Sequence, residues 1–274
     1  MKKTIYLSIL ATLLLSCTNE AKVSNQEITT KIESKQTIQK NEVEKNKSDD
    51  LISKQLIIVL TEKPSDTKGF LMKYEFIYNQ WKKVDQTIDV TLGKSGITKG
   101  RGIEINHEAS GLYKVEGDGK SPSGCFTIGD AFGFAPISKV NGLKLNYYPI
   151  DSFTRCIEDD QSKYYNQIVQ LDAVDKDWEF ADKMRNVELY EWGFFVNHNT
   201  QAMEHAGSCI FFHIWPGPGK YTLGCTAMSK ENILDLLHWI DPNSNPLVIQ
   251  YLISDYLLLR EKMNLPEINF EDQF

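Results

Sequence analysis

The sequence predicts a mainly β domain with a few helices, an α+β protein, and three observations support this. Short apolar or alternating runs recur between residues 55 and 252, and turn residues separate them. Helical periodicity is confined to two short segments, residues 231–240 and 255–263. The chain has 274 residues, 41% of them hydrophobic, which suffices for one sizeable core or two small ones. We therefore expect a sheet-based core with helices on its outside.

The first elements of the domain are strands. Residues 55–60, QLIIVL, form a continuous apolar run that is typical of a strand buried on both faces. Residues 73–78 and 86–92 alternate between apolar and polar side chains and predict two further strands.

A glycine-rich segment follows, and it predicts a hairpin. Residues 111–115 and 125–129 have strand character, and residues 116–124 between them, EGDGKSPSG, are turn formers. GDGKS at 117–121 superficially suggests a phosphate-binding loop. Such a loop needs a glycine where this chain has Lys114, and a helix should follow it, so we exclude a nucleotide as partner.

The second half of the chain resumes strand character after a weakly patterned stretch rich in aromatic residues. Ser229 is a predicted helix N-cap, and Asp241-Pro242 ends that helix. The predicted elements are strands at residues 188–196 and 208–214, a helix at 231–240, a strand at 247–252 and a terminal helix at 255–263.

The first residues predict an export signal. Lys2 and Lys3 precede an apolar stretch at residues 5–15, which is too short to span a bilayer. Leu-Leu-Ser-Cys at 14–17 resembles a bacterial lipobox, in which Cys17 is lipidated and becomes the first residue. The alternative is an ordinary cleaved signal with an incidental cysteine. Lipidation predicts an exported lipoprotein of the periplasm or outer envelope that is anchored to a membrane and does not cross it.

Composition divides the rest of the chain. Residues 18–55 contain no Gly, Pro or aromatic residue and predict a disordered tether. Residues 56–252 form the predicted folded domain, and residues 253–274 a terminal helix and tail. The net charge is −7, and it becomes −9 when Lys2 and Lys3 are lost. An acidic protein without a long basic cluster argues against a nucleic-acid partner.

A histidine and a cysteine close to each other in sequence are the candidate catalytic pair. His213 ends an apolar run, a Pro/Gly-rich turn follows, and Gly224 then precedes Cys225. A thiol beside an imidazole forms the nucleophilic thiolate. Gly224 permits a tight backbone there, and amides up to Thr226 are candidate oxyanion donors. The alternative is a buried cysteine and a structural histidine.

The five cysteines allow little cross-linking. If Cys17 is lipidated and Cys225 stays free, at most one disulfide forms among Cys125, Cys156 and Cys209. We interpret Cys209 as a buried strand residue that shares a face with His213.

Zinc is the metal alternative. By residue type its ligands would come from Cys209, Cys225, His198, His205 and His213, but none of these has a known zinc-site spacing. We predict no metal and no other cofactor.

Three polar residues are candidate substrate contacts. Asn197 and Asn199 follow a predicted strand, with a simple turn as the alternative. Arg185 could clamp a carboxylate or form a surface salt bridge.

Three segments together identify a family resemblance: GLYKVEGDGKSPSGCFTIGDAFGFAP, GSCIFFHIW and GCTAM. They resemble the L,D-transpeptidase (YkuD-type) catalytic domain, in a variant branch, over residues 56–252. The resemblance implies a β-sandwich or barrel, Cys225 as nucleophile, His213 as base and backbone donors at Gly224 and beyond. The histidine and arginine that usually flank the family's cysteine are replaced here by Leu223 and Ala227.

The function implied is peptidoglycan cross-linking. Such an enzyme forms a cysteine thioester with a tetrapeptide stem, releases D-alanine and transfers the stem to an amine. Two alternatives stay open: an L,D-carboxypeptidase or amidase-type hydrolase that uses the same site, and a non-catalytic peptidoglycan-binding lipoprotein.

Overall fold

The computed structural model describes residues 53–103 and 112–270, and an eight-stranded closed barrel forms its centre. Around the ring the strands are β1 (Gln55–Thr61), β2 (Lys68–Ile77), β3 (Gln80–Thr91), β12 (Thr226–Met228), β11 (Phe211–Ile214), β10 (Trp192–Val196), β5 (Ser121–Gly133) and β13 (Leu247–Leu252). Pairing of β5 with β10 closes the ring. The barrel is mixed, because β1 is parallel to β13 and β11 is parallel to β12.

The other elements surround this barrel. The short strands β4 (Ile97–Lys99) and β6 (Tyr147–Pro149) both pair with β5. A separate three-stranded sheet contains β7 (Thr154–Ile157), β8 (Ile168–Gln170) and β9 (Ala181–Asp182). The helices are α1 (Lys230–Trp239) and α2 (Ile253–Leu259), and short 3-10 turns lie at Ile137–Lys139, Met184–Asn186, Glu188–Glu191 and Pro242–Ser244.

Alternation along the strands divides the core into layers. Ile57 and Val59 of β1 join an interior cluster to which all eight barrel strands contribute, and α1 packs against it. Leu56 and Ile58 point the other way, into a cluster that α2 covers. Because β1 is buried on both faces, its sequence is continuously apolar. The predicted mainly β fold with some helix is confirmed.

A third apolar cluster fills the space between the barrel and the small sheet. Phe211 of β11 belongs to it, whereas the next residue, Phe212, faces the interior. A disulfide joins Cys156 of β7 to Cys209, the residue two before β11. Cys225 packs in the same cluster. The outer face of β11 and β12 is therefore the face that carries the candidate site.

Several local predictions are confirmed. The run at 55–60 is β1, and residues 247–252 are β13. Ser229 is the N-cap of α1, and its hydroxyl accepts the amide hydrogen of Asn232.

The predicted hairpin at 111–129 is wrong. Within the described residues, Tyr113 makes an isolated parallel bridge with Lys99, and β5 begins only at Ser121. Residues 114–120 form a loop that the Asp118 carboxylate closes by accepting the amides of Val115 and Lys120. The partners of β5 within the barrel are β13 and β10, which lie far away in sequence, so local turn residues were a poor guide.

Two predicted strands begin later than expected. Glu188–Glu191 is a 3-10 turn, and β10 starts at Trp192. Cys209 lies outside β11, with a left-handed φ of 53°, because the chain turns there to reach Cys156. Cys209 is buried, as predicted, but it is a disulfide partner and not a strand residue.

The predicted signal peptide, Cys17 and the predicted tether up to residue 52 lie outside the described residues. Among the helices of the described ranges, none is long and apolar enough to cross a membrane.

Candidate active site

An open cleft of about 540 Å³ lies on the outer face of β11 and β12. Its walls come from three parts of the chain: the loop at 114–119, the turn at 216–224, and residues of or near the small sheet. Cys225, directly before β12, and His213, in β11, both line it. Because these strands are adjacent and parallel, with His213 opposite Ala227, the structure brings the predicted pair together.

The Cys225 thiol sits in a nearly closed environment, with 8% of the residue exposed. Its Sγ accepts the Phe211 amide hydrogen at 3.3 Å and donates to the Cys209 carbonyl oxygen at 3.6 Å. Burial raises the pKa of Cys225 to about 12, although the hydrogen bond from Phe211 opposes this shift. This raised pKa favours the protonated thiol in the resting site.

The His213 imidazole is held in one tautomer. Its Nδ1 lies 2.7 Å from the Ile214 carbonyl oxygen. A carbonyl only accepts, so Nδ1 carries the proton and Nε2 keeps its lone pair. Burial lowers the pKa of His213 to about 4, and the hydrogen bond to Ile214 acts in the opposite direction. His213 is thus neutral and able to take a proton, with a backbone carbonyl as the group that orients it.

Hydroxyl groups fix the backbone around Cys225. Thr222 Oγ1 and Ser121 Oγ donate to the Cys225 carbonyl oxygen at 2.7 and 3.0 Å. The Gly224 amide donates to Thr222 Oγ1 at 3.1 Å, and Gly224 has a φ of 150°, which favours glycine. The Thr226 side chain is buried and donates to Gln250 Oε1 at 2.7 Å. Gly224 and Thr226 therefore flank the thiol through their backbones.

Aromatic and acidic residues that the sequence analysis missed form the wall opposite the turn. The Tyr190 ring meets the His213 ring edge-on, with centroids 5.2 Å apart, and its hydroxyl bonds the Asp182 carboxylate. Burial, together with the charges of Asp182 and Glu116, raises the pKa of Glu158 to about 7. These acids lie in or near the small sheet, in a stretch where the sequence pattern gave no signal.

The predicted substrate-binding residues do not line this cleft. The exposed Arg185 stacks its guanidinium 4.1 Å from the centroid of the Phe134 ring. Asn197 donates to Thr127 Oγ1, and the buried Asn199 holds the backbone of residues 203 and 207. The local role of these two asparagines is to shape the segment after β10.

The candidate zinc ligands serve other purposes. Cys209 is in the disulfide, and His205 is exposed beside Asp160. His198 accepts the Arg101 amide hydrogen through Nδ1 at 3.1 Å and donates through Nε2 to the Ala206 carbonyl at 3.0 Å. No group of three His, Cys, Asp or Glu side chains suited to a metal occurs within residues 53–103 and 112–270.

The family model of the L,D-transpeptidase catalytic domain (YkuD) matches residues 66–249. The chain belongs to this family. A comparison with curated proteins found no match.

Two solved structures resemble this YkuD-family chain. One is the helical cell shape determining protein Pgp2 from Campylobacter jejuni, at 18% identity and a TM-score of 0.32, over 74% of this chain and 51% of that one. The other is its K307A mutant, at 18% identity and a TM-score of 0.34, over 74% and 50%. The chain thus spans about half the length of these structures.

Proposed function

We propose that the protein is a peptidoglycan L,D-transpeptidase that uses Cys225 as nucleophile and His213 as base. One observation carries the proposal: Cys225, directly before β12, and His213, in the adjacent strand β11, line the same cleft, and Nε2 of His213 is unprotonated. A nucleophile and a base that a third group orients is the arrangement acyl transfer needs, and here the third group is the Ile214 carbonyl.

The first half-reaction forms a thioester. As Cys225 Sγ attacks the carbonyl between stem residues three and four, its proton passes to His213 Nε2 and an S–C bond forms. Because the Gly224 amide already bonds Thr222 Oγ1, the Cys225 amide between Gly224 and Thr226 is the donor that stabilises the oxyanion. The C–N bond then breaks, and His213 returns the proton to the departing D-alanine amine.

The second half-reaction releases the acyl group. An amine of a second stem attacks the thioester and gives a proton to His213. A C–N bond forms, the C–S bond breaks, and the proton returns to Cys225. Because the resting pair is neutral, the proton transfer accompanies attack and does not precede substrate binding.

Hydrolysis of the same thioester is the second candidate function, and Glu158 favours it. The Glu158 carboxyl lines the cleft, and its pKa of about 7 suits a general base for water at neutral pH. Resolution by water would make the protein an L,D-carboxypeptidase.

We also propose an exported lipoprotein anchored through Cys17 in the periplasm or outer envelope, with residues 18–52 as a tether, because Gln55 already belongs to β1. The Cys156–Cys209 disulfide supports export, because such bonds persist in oxidising compartments. Metabolic labelling with a fatty acid tests the anchor: label should appear on the wild type and be absent from Cys17→Ala.

Product analysis tests the reaction. The purified protein is incubated with a disaccharide-tetrapeptide, and products are read by mass spectrometry beside Cys225→Ala. We expect a cross-linked dimer that has lost one alanine. Tripeptide alone would establish hydrolysis instead. No product from a folded wild type would contradict both reactions and favour a peptidoglycan-binding lipoprotein.

A further inference from the structure

Lys114 places a buried ammonium group in the wall of the cleft. Only 3% of the residue is exposed, yet it lines the cleft together with Cys225 and His213. A lysine is almost never buried to this degree unless its charge is paired. Lys94 and Lys220 also line the cleft, but both are exposed.

Two of the three Nζ donors are accounted for. They bond Asp118 Oδ1 at 2.7 Å and the Lys120 carbonyl oxygen at 2.8 Å. Asp118 does not serve Lys114 alone, because its oxygens also accept the amides of Val115 and Lys120. Lys114 Nζ therefore keeps one N–H donor, and Asp118 neutralises its charge only in part. The ammonium can still attract a second anion.

The position of this ammonium relative to the nucleophile is set by Gly224. A Cβ on Gly224 would lie 3.4 Å from Lys114 Nζ, so the missing side chain leaves the charge directly beside the residue before Cys225. Gly207 plays the matching part for the lysine stem, because a Cβ there would lie 2.7 Å from Lys114 Cε. Because Gly207 and Gly224 have no side chains, Lys114 can lie beside the backbone that precedes Cys225.

We propose that Lys114 binds the terminal carboxylate of the donor peptide, and this rests on the proposed function. In a donor cleaved before its last residue, the free carboxylate lies only a few bonds from the carbonyl that Cys225 attacks. A fixed cation beside Gly224 and Cys225 fits that group. The site therefore selects peptides that end in a free carboxylate over peptides with a blocked end.

A comparison of two peptides in two protein backgrounds tests this. A disaccharide-tetrapeptide with a free carboxylate and its C-terminal amide are titrated by calorimetry into Cys225→Ala, with and without Lys114→Met. The amide lacks the charge-assisted hydrogen bond to Lys114. In the protein that retains Lys114, it should therefore bind about 10- to 100-fold more weakly than the peptide with the free carboxylate. In Lys114→Met, or in Lys114→Gln if the methionine variant does not fold, the two peptides should bind equally.

Asp118→Asn is the matched control, because it removes the ion pair and keeps the ammonium. It should retain the preference for the carboxylate. Equal loss of the preference in Asp118→Asn and Lys114→Met would assign Lys114 to loop closure and overturn the proposal. Equal binding of both peptides when Lys114 is present would overturn it as well.

Kinetic measurements on variants that retain Cys225 test whether Lys114 stabilises the oxyanion instead of binding the carboxylate. If Lys114 served the oxyanion instead, Lys114→Met would lower kcat equally for both peptides and leave the KM ratio unchanged, which also contradicts the proposal. Because binding is measured without turnover, a carboxylate preference in a protein that makes no product would remove the proposed reaction and keep this assignment. Turnover that is the same in the wild type and in Lys114→Met would keep the proposed reaction and remove the assignment of Lys114.

Discussion

Cys125 and Cys225 are both buried free thiols, and burial raises the pKa of each to about 12. Cys125 lies in β5 within the apolar cluster that α2 covers. Cys225 borders the cleft, next to the strand that carries His213. Burial and thiol acidity therefore do not distinguish the two residues. What differs is an oriented base and an opening that a substrate can enter.

The two buried histidines differ in the same way. Burial lowers the pKa of both His198 and His213 to about 4. His198 uses both ring nitrogens for backbone partners, whereas His213 uses only Nδ1. A histidine with both nitrogens engaged supports the structure, and one with a free Nε2 in a cleft can do chemistry.

The thiol comparison predicts the largest difference. Cys225→Ala should lower turnover by about 10⁴-fold or more while the protein stays folded, since no other nucleophile replaces it. Cys125→Ala should keep turnover and lower the free energy of unfolding by about 1 kcal/mol. Product formation and denaturant unfolding of both variants measure these effects. Comparable loss of turnover in Cys125→Ala would break the comparison.

The histidine comparison predicts the next effect. His213→Gln should lower kcat by about 10²- to 10⁴-fold, because the proton of Cys225 loses its acceptor. His198→Gln should retain kcat and lower the free energy of unfolding by about 1–3 kcal/mol, because buried backbone groups lose partners. The assignment of roles fails if the two variants show the reverse pattern.

Removal of the disulfide should affect both stability and turnover. It joins residues 53 positions apart, and its loss should lower the free energy of unfolding by about 2–5 kcal/mol. Cys156→Ala, Cys209→Ala and the double variant should be equally destabilised, because each removes the same bond. Turnover should fall in all three, since the Cys209 carbonyl contacts the Cys225 thiol. Additive losses in the double variant would contradict this account.

Alkylation of Cys225 has a predicted pH dependence. Because its pKa is raised to about 12, the thiolate fraction, and with it the rate with iodoacetamide, should rise about tenfold per pH unit between pH 6 and 9. The lowered pKa of His213 keeps the imidazole neutral throughout this range. Cys125→Ala isolates the Cys225 signal. A fast plateau near pH 6 would instead reveal a thiolate–imidazolium pair.

The sequence predicted those parts of the fold that local patterns determine. The run at 55–60 is apolar on both faces because β1 is buried on both, and Ser229 caps α1 through its own hydroxyl. The hairpin prediction failed because β5 pairs with distant strands. The candidate pair was recognisable because His213 and Cys225 are close in sequence.

The rest of the site depends on contacts between residues that are far apart in sequence. Glu158 and Tyr190 reach the cleft only through the placement of the small sheet and of the turn before β10. Lys114 gave no sequence signal, since its burial depends on Gly207 and Gly224, which lie about a hundred residues away. Cys156 and Cys209 show no recognisable spacing, so their pairing could not be read from the sequence.

Intact-protein mass spectrometry after mixing with a disaccharide-tetrapeptide tests the central claim most directly. We expect an adduct with the mass of the donor without its last residue, located on Cys225, cleaved by hydroxylamine as a thioester is, and absent from Cys225→Ala. No adduct on a folded protein, with Cys225 alkylated no faster than Cys125, would contradict a catalytic role for the cleft.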